Sequence, residues 1–175
     1  MRILLLAVIF LSQSIWAEEK SWSIHENKPH PDKVMGSLID FKPEADFLIA
    51  TVAMATEYYG DRLRITLVVN EWFGAEPAPA CKGTKIGKPV DKGMDLHKFN
   101  DAWIKMKQFC VAFEREGSSK ITDYHLILIP QTYSDALRLV NLFKRSNDVI
   151  YDNKIKFTAR NFINTYDVYS KRLGI

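Results

Sequence analysis

The chain has 175 residues, with 24 lysines and arginines against 21 aspartates and glutamates, and a formal net charge of +3. That length predicts a single domain. Hydrophobic residues make up 47% and charged residues 26%, a balance that excludes an intrinsically disordered chain, a collagen-like repeat and a polytopic membrane protein. So mild a charge does not indicate nucleic-acid binding, and no nucleic-acid partner is expected.

The first 17 residues have the pattern of a secretory signal peptide. Arg2 supplies a positive charge, residues 3–11 form an apolar run, and Ala17 is a small residue ahead of a polar stretch. An uncleaved membrane anchor is the alternative, but a span needs about 20 apolar residues. We therefore predict a signal peptide over residues 1–17, no transmembrane anchor after its cleavage, and a periplasmic or secreted protein.

Residues 18–33 are polar and contain Pro29 and Pro31, which predicts an extended N-terminal arm with a short strand near Trp22. Residues 34–175 are then expected to form one α+β domain. Within it, a β-hairpin is predicted over residues 47–72, with a turn around residues 57–61. Its second strand alternates apolar and polar residues with a period of two: Arg62, Leu63, Arg64, Ile65, Thr66, Leu67 and Val69.

The middle of the chain is less regular. Residues 74–98 are rich in proline and glycine and are predicted to form a loop. Residues 99–113 fit either a helical apolar stripe or a buried strand, and the neighbouring sheet pattern favours the strand. Residues 125–129 form an apolar strand pattern that ends at Pro130.

The last third predicts two helices around a second hairpin. Thr132 and Asp135 have the spacing of a capping box at the start of a helix over residues 133–145. A hairpin over residues 148–159 follows, and Asn161 is placed to cap a final helix. An aromatic stripe on that helix is expected to pack in the core: Phe162, Tyr166, Tyr169 and Leu173.

These elements together predict an α+β fold. A mostly antiparallel sheet, arranged as a sandwich or a partly open barrel, would carry two helices in the C-terminal half of the chain.

The two cysteines, Cys81 and Cys110, are predicted to form a disulfide. An oxidising compartment favours pairing, and the closed loop would stabilise the fold by about 3–4 kcal/mol. A reactive thiol is the alternative. The sequence has no Cys-x-x-Cys motif, and Cys110 lies in an apolar run that indicates burial.

Two Asp-x-His pairs form a candidate metal site. Residues i and i+2 of a strand share a face, so Asp95 with His97, and Asp123 with His125, would each present a carboxylate and an imidazole together. If the two pairs faced each other, they would have the donors for a zinc-like ion or for acid–base chemistry. The alternative is a partly buried His125 and a solvated His97.

A candidate interaction surface lies in the loop from Trp72 to Asp95. Large aromatic residues beside a loop either close a core or form the apolar centre of a protein interface. The lysines of this loop have two interpretations. They either keep the loop solvated or form a surface that binds an anionic glycan. The candidate interface residues are Trp72, Phe73, Lys82, Lys85 and Lys88.

No strong catalytic motif is present. The sequence lacks a Gly-x-Ser-x-Gly elbow, a P-loop, a dinucleotide-binding glycine motif and a His-Glu-x-x-His motif. The expected function is that of an exported, non-enzymatic protein acting through a protein-interaction surface, such as an envelope accessory subunit, an inhibitor or a host-facing factor. No cofactor is expected. The alternative is a small periplasmic metal-binding protein or hydrolase that uses Asp95, His97, Asp123 and His125.

Overall fold

A computed structural model describes residues 21–24, 36–37, 49–72, 79–115 and 118–175. The predicted signal peptide, most of the predicted arm and Phe73 lie outside these residues. The strands and helices, in chain order, are β1 (Ser23–Ile24), β2 (Gly36–Ser37), β3 (Ile49–Tyr59), β4 (Arg62–Trp72), β5 (Val90–Phe99), β6 (Ala102–Arg115), β7 (Ser118–Pro130), α1 (Tyr133–Arg145), β8 (Asp148–Tyr151), β9 (Ile155–Thr158) and α2 (Phe162–Leu173).

The strands form one antiparallel sheet in the order β1-β2-β3-β4-β7-β6-β5-β8-β9. The seven longer strands curl into a half-barrel, and both helices lie in the C-terminal half. This confirms the predicted fold class. Paired residues lie on the same face of the sheet. The inner face carries the buried residues that form one core with α1, and the outer face lies on the convex side.

The β3–β4 hairpin follows from the alternation in its second strand. Ile65, Leu67 and Val69 are buried on the inner face, and Leu67 pairs with Met54 of β3. The predicted hairpin is confirmed, but its turn is shorter than predicted. β3 continues to Tyr59, because the left-handed conformation of Gly60 (φ 70°) allows the chain to reverse there.

β5 corrects the prediction of a loop throughout residues 74–98. It pairs with β6 from Val90 to Phe99, and this long-range pairing overrides a composition typical of a loop. A β-bulge between Asp91 and Gly93 accommodates the glycine, whose φ is 82°. Residues 102–115 are the strand β6, which confirms the strand alternative for most of the ambiguous segment.

Both helices begin where predicted. The Asp135 amide donates to the Thr132 hydroxyl oxygen at 3.1 Å, and that hydroxyl donates to the Asp135 carboxylate at 2.7 Å. Asn161 precedes α2, but its side chain does not cap the helix. Its left-handed backbone (φ 60°) turns the chain into α2, while Nδ2 donates to the Trp22 carbonyl oxygen at 3.0 Å.

The described part of the predicted arm is anchored in the core. Trp22 is 1% exposed, and its ring meets Phe143 of α1 and Phe162 of α2 edge to face. Its indole Nε1 donates to the Thr158 carbonyl oxygen at 2.8 Å. Trp22 therefore joins both helices and β9 into the same core as the sheet. Phe162 and Tyr169 of the predicted aromatic stripe are also fully buried, as expected.

The predicted disulfide between Cys81 and Cys110 is present, with a Cα–Cα distance of 5.4 Å. Both residues are fully buried. The bond fixes the segment that precedes β5 to the inner face of β6. The α-helices among the described residues are α1 and α2. Neither has the length and hydropathy that a membrane span requires.

Candidate functional site

Four polar side chains form a continuous row on the inner face of the half-barrel. They are Glu71 on β4, His97 on β5, Gln108 on β6 and Tyr151 on β8. The Tyr151 hydroxyl donates a hydrogen bond to the Glu71 carboxyl group. His97 Nδ1 lies 3.0 Å from the Tyr151 hydroxyl oxygen, and His97 Nε2 lies 3.4 Å from Gln108 Nε2. We call these four residues the inner polar row.

The hydrogen bonds of the row all run in one direction. Because the Tyr151 hydroxyl donates to Glu71, its oxygen is the acceptor for His97 Nδ1–H. His97 Nε2 is then left to accept from the Gln108 amide. This assignment requires a neutral imidazole with the proton on Nδ1. The row is therefore a chain of hydrogen bonds that runs from Gln108 to the carboxyl group of Glu71.

Burial shifts the titration of three members of the row. Desolvation raises the pKa of Glu71, and the Tyr151 hydrogen bond only partly opposes it. Desolvation, followed by the nearby Glu71 charge, also raises the pKa of Tyr151. For His97, desolvation lowers the pKa against the attraction of Asp95 and Asp152. All three shifts are towards the neutral form of the group.

The inner polar row ties strands that are not neighbours in the sheet. Tyr151 lies on β8, which pairs with β5, whereas Glu71 lies on β4, on the far side of β7 and β6. Their hydrogen bond crosses the concave face. A buried, hydrogen-bonded polar network of this kind rigidifies the structure around it. We therefore assign the row to holding the curl of the half-barrel.

The Asp-x-His motif singles out His97, but no motif in the sequence marks the other three members of the row. A signal was present in the inward positions of two strands. In β4 these positions are Ile65, Leu67, Val69 and then Glu71, and in β6 they are Ile104, Met106, Gln108 and Cys110. A polar residue at an inward position of an apolar alternation indicates a buried polar group that needs a partner.

The structure does not bring the two Asp-x-His pairs together. His97 pairs with Ile104 and His125 pairs with Val111 of the same strand, positions about 23 Å apart at about 3.3 Å per residue. The odd spacing of these positions places the two histidines on opposite faces of the sheet. Within the described ranges, no group of three or more histidines, cysteines, aspartates or glutamates is arranged to hold a metal ion.

Each histidine instead has local partners. His97 belongs to the inner polar row. On the outer face, His125 Nδ1 lies 3.1 Å from Asn70 Oδ1, and its ring meets Phe113 edge to face. Desolvation lowers the pKa of His125, against the attraction of Asp123.

The predicted interface lysines Lys82, Lys85 and Lys88 are exposed in the loop between the disulfide and β5. The backbone of Trp72 ends β4 and pairs with His125 and Ile49. The prediction that this loop is an interface stays a prediction, since Phe73 lies outside the described residues.

A more distinct surface lies on the outer face of the β5–β6 hairpin. Three large apolar side chains there are about half exposed: Met94 at 51%, Leu96 at 56% and Trp103 at 55%. Lysines alternate with them across the two strands, because Leu96 pairs with Lys105 and Lys98 pairs with Trp103. We call Met94, Leu96, Lys98, Trp103 and Lys105 the hairpin patch. The hairpin patch is not evident from the sequence, because the composition of residues 90–98 is typical of a loop.

The charges of the hairpin patch are mainly positive. Lys107, which pairs with Met94, is engaged with Asp91 through an Nζ–Oδ2 distance of 3.1 Å. Its ammonium also lies 4.8 Å from the centre of the Phe109 ring. Lys105 is exposed beside Leu96. The patch therefore presents an apolar centre with a cationic border.

Comparison of the chain with protein-family models, with curated proteins and with solved structures gives no match in any of the three.

Proposed function

We propose that the protein is exported and acts by binding an acidic protein partner through the hairpin patch. Export is supported by the sequence of residues 1–17 and by the buried Cys81–Cys110 disulfide, since such bonds persist in oxidising compartments. The binding proposal rests on one observation, the exposed cluster of Met94, Leu96 and Trp103.

Such a cluster favours an interface over an ordinary surface. Single exposed apolar residues are common, but neighbouring ones mark sites of protein contact. Met94 and Leu96 are two residues apart on one face of β5, and Trp103 lies on the same face of the adjacent strand. Tryptophan and methionine are enriched at interface centres. A docked protein would remove this apolar surface from water.

The lysines of the patch indicate the charge of the partner. Lys98 and Lys105 flank the apolar side chains on both strands. A second copy of the protein docked face to face would bring the same lysines together, and like charges across an interface disfavour association. A partner with acidic side chains around an apolar centre complements both features of the patch.

Site-specific cross-linking in the source cells tests this proposal. A photoreactive phenylalanine derivative replaces Trp103 in one variant and Ile163, an exposed residue of α2, in the control. We expect a discrete cross-linked product from position 103 and none of the same mass from position 163. Products of equal mass and yield at both positions, or none at either, would contradict the proposal.

A charge reversal sharpens the same test. With the photoreactive group at Met94, we expect Lys105→Glu to lower the yield of the product about tenfold, since it repels an acidic partner. Lys171→Glu makes the same charge change on α2 and is expected to leave the yield unchanged. Equal yields in the two variants would exclude an acidic partner. Export is tested in a separate experiment, which measures the mass of the protein recovered outside the cytoplasm. That mass is expected to correspond to a chain that begins at Glu18.

A further inference from the structure

One edge of β5 has no neighbouring strand among the described residues. β5 pairs with β6 along its length, but with β8 only at Phe99. The chain turns away from β5 after Tyr151 and enters β9. Within the described part of the chain, residues 90–97 therefore present an open edge about 26 Å long.

The backbone groups at this edge follow from one hydrogen bond. The Lys98 carbonyl oxygen accepts from the Asp152 amide at 2.8 Å, so the backbone of Lys98 faces the β8 side. Alternate residues of a strand present their backbone groups to the same side. The N–H and C=O groups of Leu96 and Met94 therefore face the open edge.

A side chain of β5 itself occupies one of these groups. The Leu96 amide donates to the carboxylate of Asp95 at 2.8 Å, rather than to another strand. At the end of the edge, the Gly93 amide donates to the Asp91 carboxylate at 2.8 Å within the β-bulge. Charged side chains and bulges are features by which proteins protect an edge from indiscriminate pairing. The edge of β5 therefore has no neighbouring strand among the described residues, but Asp91, Asp95 and the β-bulge restrict which segments can pair with it.

We propose that the partner adds an extended segment to β5, as an antiparallel strand along residues 93–97. This inference rests on the proposed function, because the added strand would lie directly beside the hairpin patch. Backbone hydrogen bonds would supply affinity, and side chains at alternate positions would supply specificity. On the outer face, the segment carries apolar side chains beside Met94 and Leu96 and an acidic side chain beside Lys98.

The sequence of β5 disfavours a second copy that adds as a strand in the register centred on Asp95. In an antiparallel self-pairing centred on Asp95, each Asp95 would lie opposite its own copy, and Lys98 would lie opposite Lys92. Like charges directly opposite each other destabilise a strand pair. A segment of another protein, with acidic and apolar residues, avoids both contacts.

The test uses a phage-displayed library of random peptides of roughly twelve residues, a length that covers the edge. Selection on the full exported protein is followed by affinity measurements on Leu96→Pro and on its control, Leu96→Thr. Proline removes the Leu96 N–H, which faces the open edge and does not contribute to the β5–β6 pairing. A strand tolerates proline at such an edge position. Threonine removes the leucine side chain but keeps the N–H.

We expect the selected peptides to alternate apolar and acidic residues and to bind Leu96→Pro about tenfold more weakly than Leu96→Thr. Peptides that bind the two variants equally, or a selection without enrichment, would overturn strand addition. Hydrogen exchange of the wild-type protein gives a readout that does not depend on the proline variant. The Met94 and Leu96 amides are expected to exchange at least about tenfold more slowly with a selected peptide bound, and unchanged exchange would overturn the inference.

Failure of this inference is distinguishable from failure of the proposed function. A cross-linked product from position 103 that persists in Leu96→Pro would leave the partner and the hairpin patch in place. It would show only that the partner binds through side chains instead of adding a strand.

Discussion

The hydroxyl of Tyr151 hydrogen-bonds to the carboxylate of Glu71 across the concave face of the sheet. The two residues are 80 positions apart in the chain and lie on strands that are not neighbours. Tyr151 is 4% exposed and Glu71 is 6% exposed, so water does not substitute readily for either partner. Their bond links the β8–β9 hairpin to β4 and holds the half-barrel in its curl.

Tyr151→Phe is expected to lower the free energy of unfolding by about 1–3 kcal/mol, since it leaves the buried Glu71 carboxyl without its tyrosine partner. Urea denaturation measures the change. Tyr58→Phe is the matched control, because Tyr58 is 69% exposed and its substitution should change stability by less than about 0.5 kcal/mol. Adding Glu71→Leu to Tyr151→Phe should recover part of the loss. Equal stability of Tyr151→Phe and Tyr58→Phe would contradict the role of the bond.

Glu71 also predicts a pH dependence of stability. Because burial raises its pKa above the ordinary value of 4.5, the folded protein binds more protons than the unfolded chain just above that value. The free energy of unfolding therefore falls as pH rises from about 4.5 to the raised pKa. Glu71→Gln removes this fall. We expect the stability of Glu71→Gln relative to wild type to increase across that window, as measured by urea denaturation at several pH values.

The opposite sign is expected at His97. Its pKa is lowered from 6.5 by burial, so the unfolded chain binds a proton first as pH falls. Stability is then lost below pH 6.5, and His97→Asn should remove that loss while leaving the effect of Glu71 in place. A stability difference from wild type that does not change with pH, in either variant, would contradict burial of that group.

The disulfide offers an independent prediction. Replacing both Cys81 and Cys110 with serine is expected to lower the free energy of unfolding by about 3–4 kcal/mol, the loss that the chain-entropy model gives for a loop of this size. Wild-type protein unfolded with and without reductant is the control and should differ by a similar amount. Mass spectrometry of the protein purified without reductant should find no free thiol, and two free thiols would contradict the bond.

The parts of the fold that the sequence predicts are those whose signal is local. Period-two alternation predicts the β3–β4 hairpin, and the capping box at Thr132 and Asp135 predicts the start of α1. The disulfide follows from the presence of two cysteines and from the predicted signal peptide. β5 is not evident from its composition because glycine and lysine are common in loops, and only its pairing with β6 makes it a strand.

The functional features depend on contacts across the sheet. Glu71 and Tyr151 meet because the sheet curls, and no local motif encodes the curl. The hairpin patch likewise combines residues of β5 with Trp103 of β6, and each exposed apolar residue is ordinary when it is considered alone. The open edge of β5 is a property of topology, since it depends on how early the β8–β9 hairpin turns away.

Trp22 and Trp103 are a buried and an exposed tryptophan, so their substitutions are expected to differ in their effect on stability. Trp22→Ala is expected to lower the free energy of unfolding by about 3–5 kcal/mol, because it empties the space between Phe143 and Phe162 and removes the bond to Thr158. Trp103→Ala is the matched control. Trp103 is 55% exposed on the hairpin patch, so its loss should cost less than about 1 kcal/mol.

Thermal or urea unfolding of the two tryptophan variants measures the difference. The two variants should also separate stability from binding. Trp22→Ala weakens the fold, whereas Trp103→Ala should keep the wild-type unfolding curve and lose the partner, since the aromatic centre of the proposed interface is gone. If Trp103→Ala destabilised the protein as much as Trp22→Ala, the Trp103 indole would contribute to folding stability. That result would contradict the proposal that the hairpin patch is a binding surface.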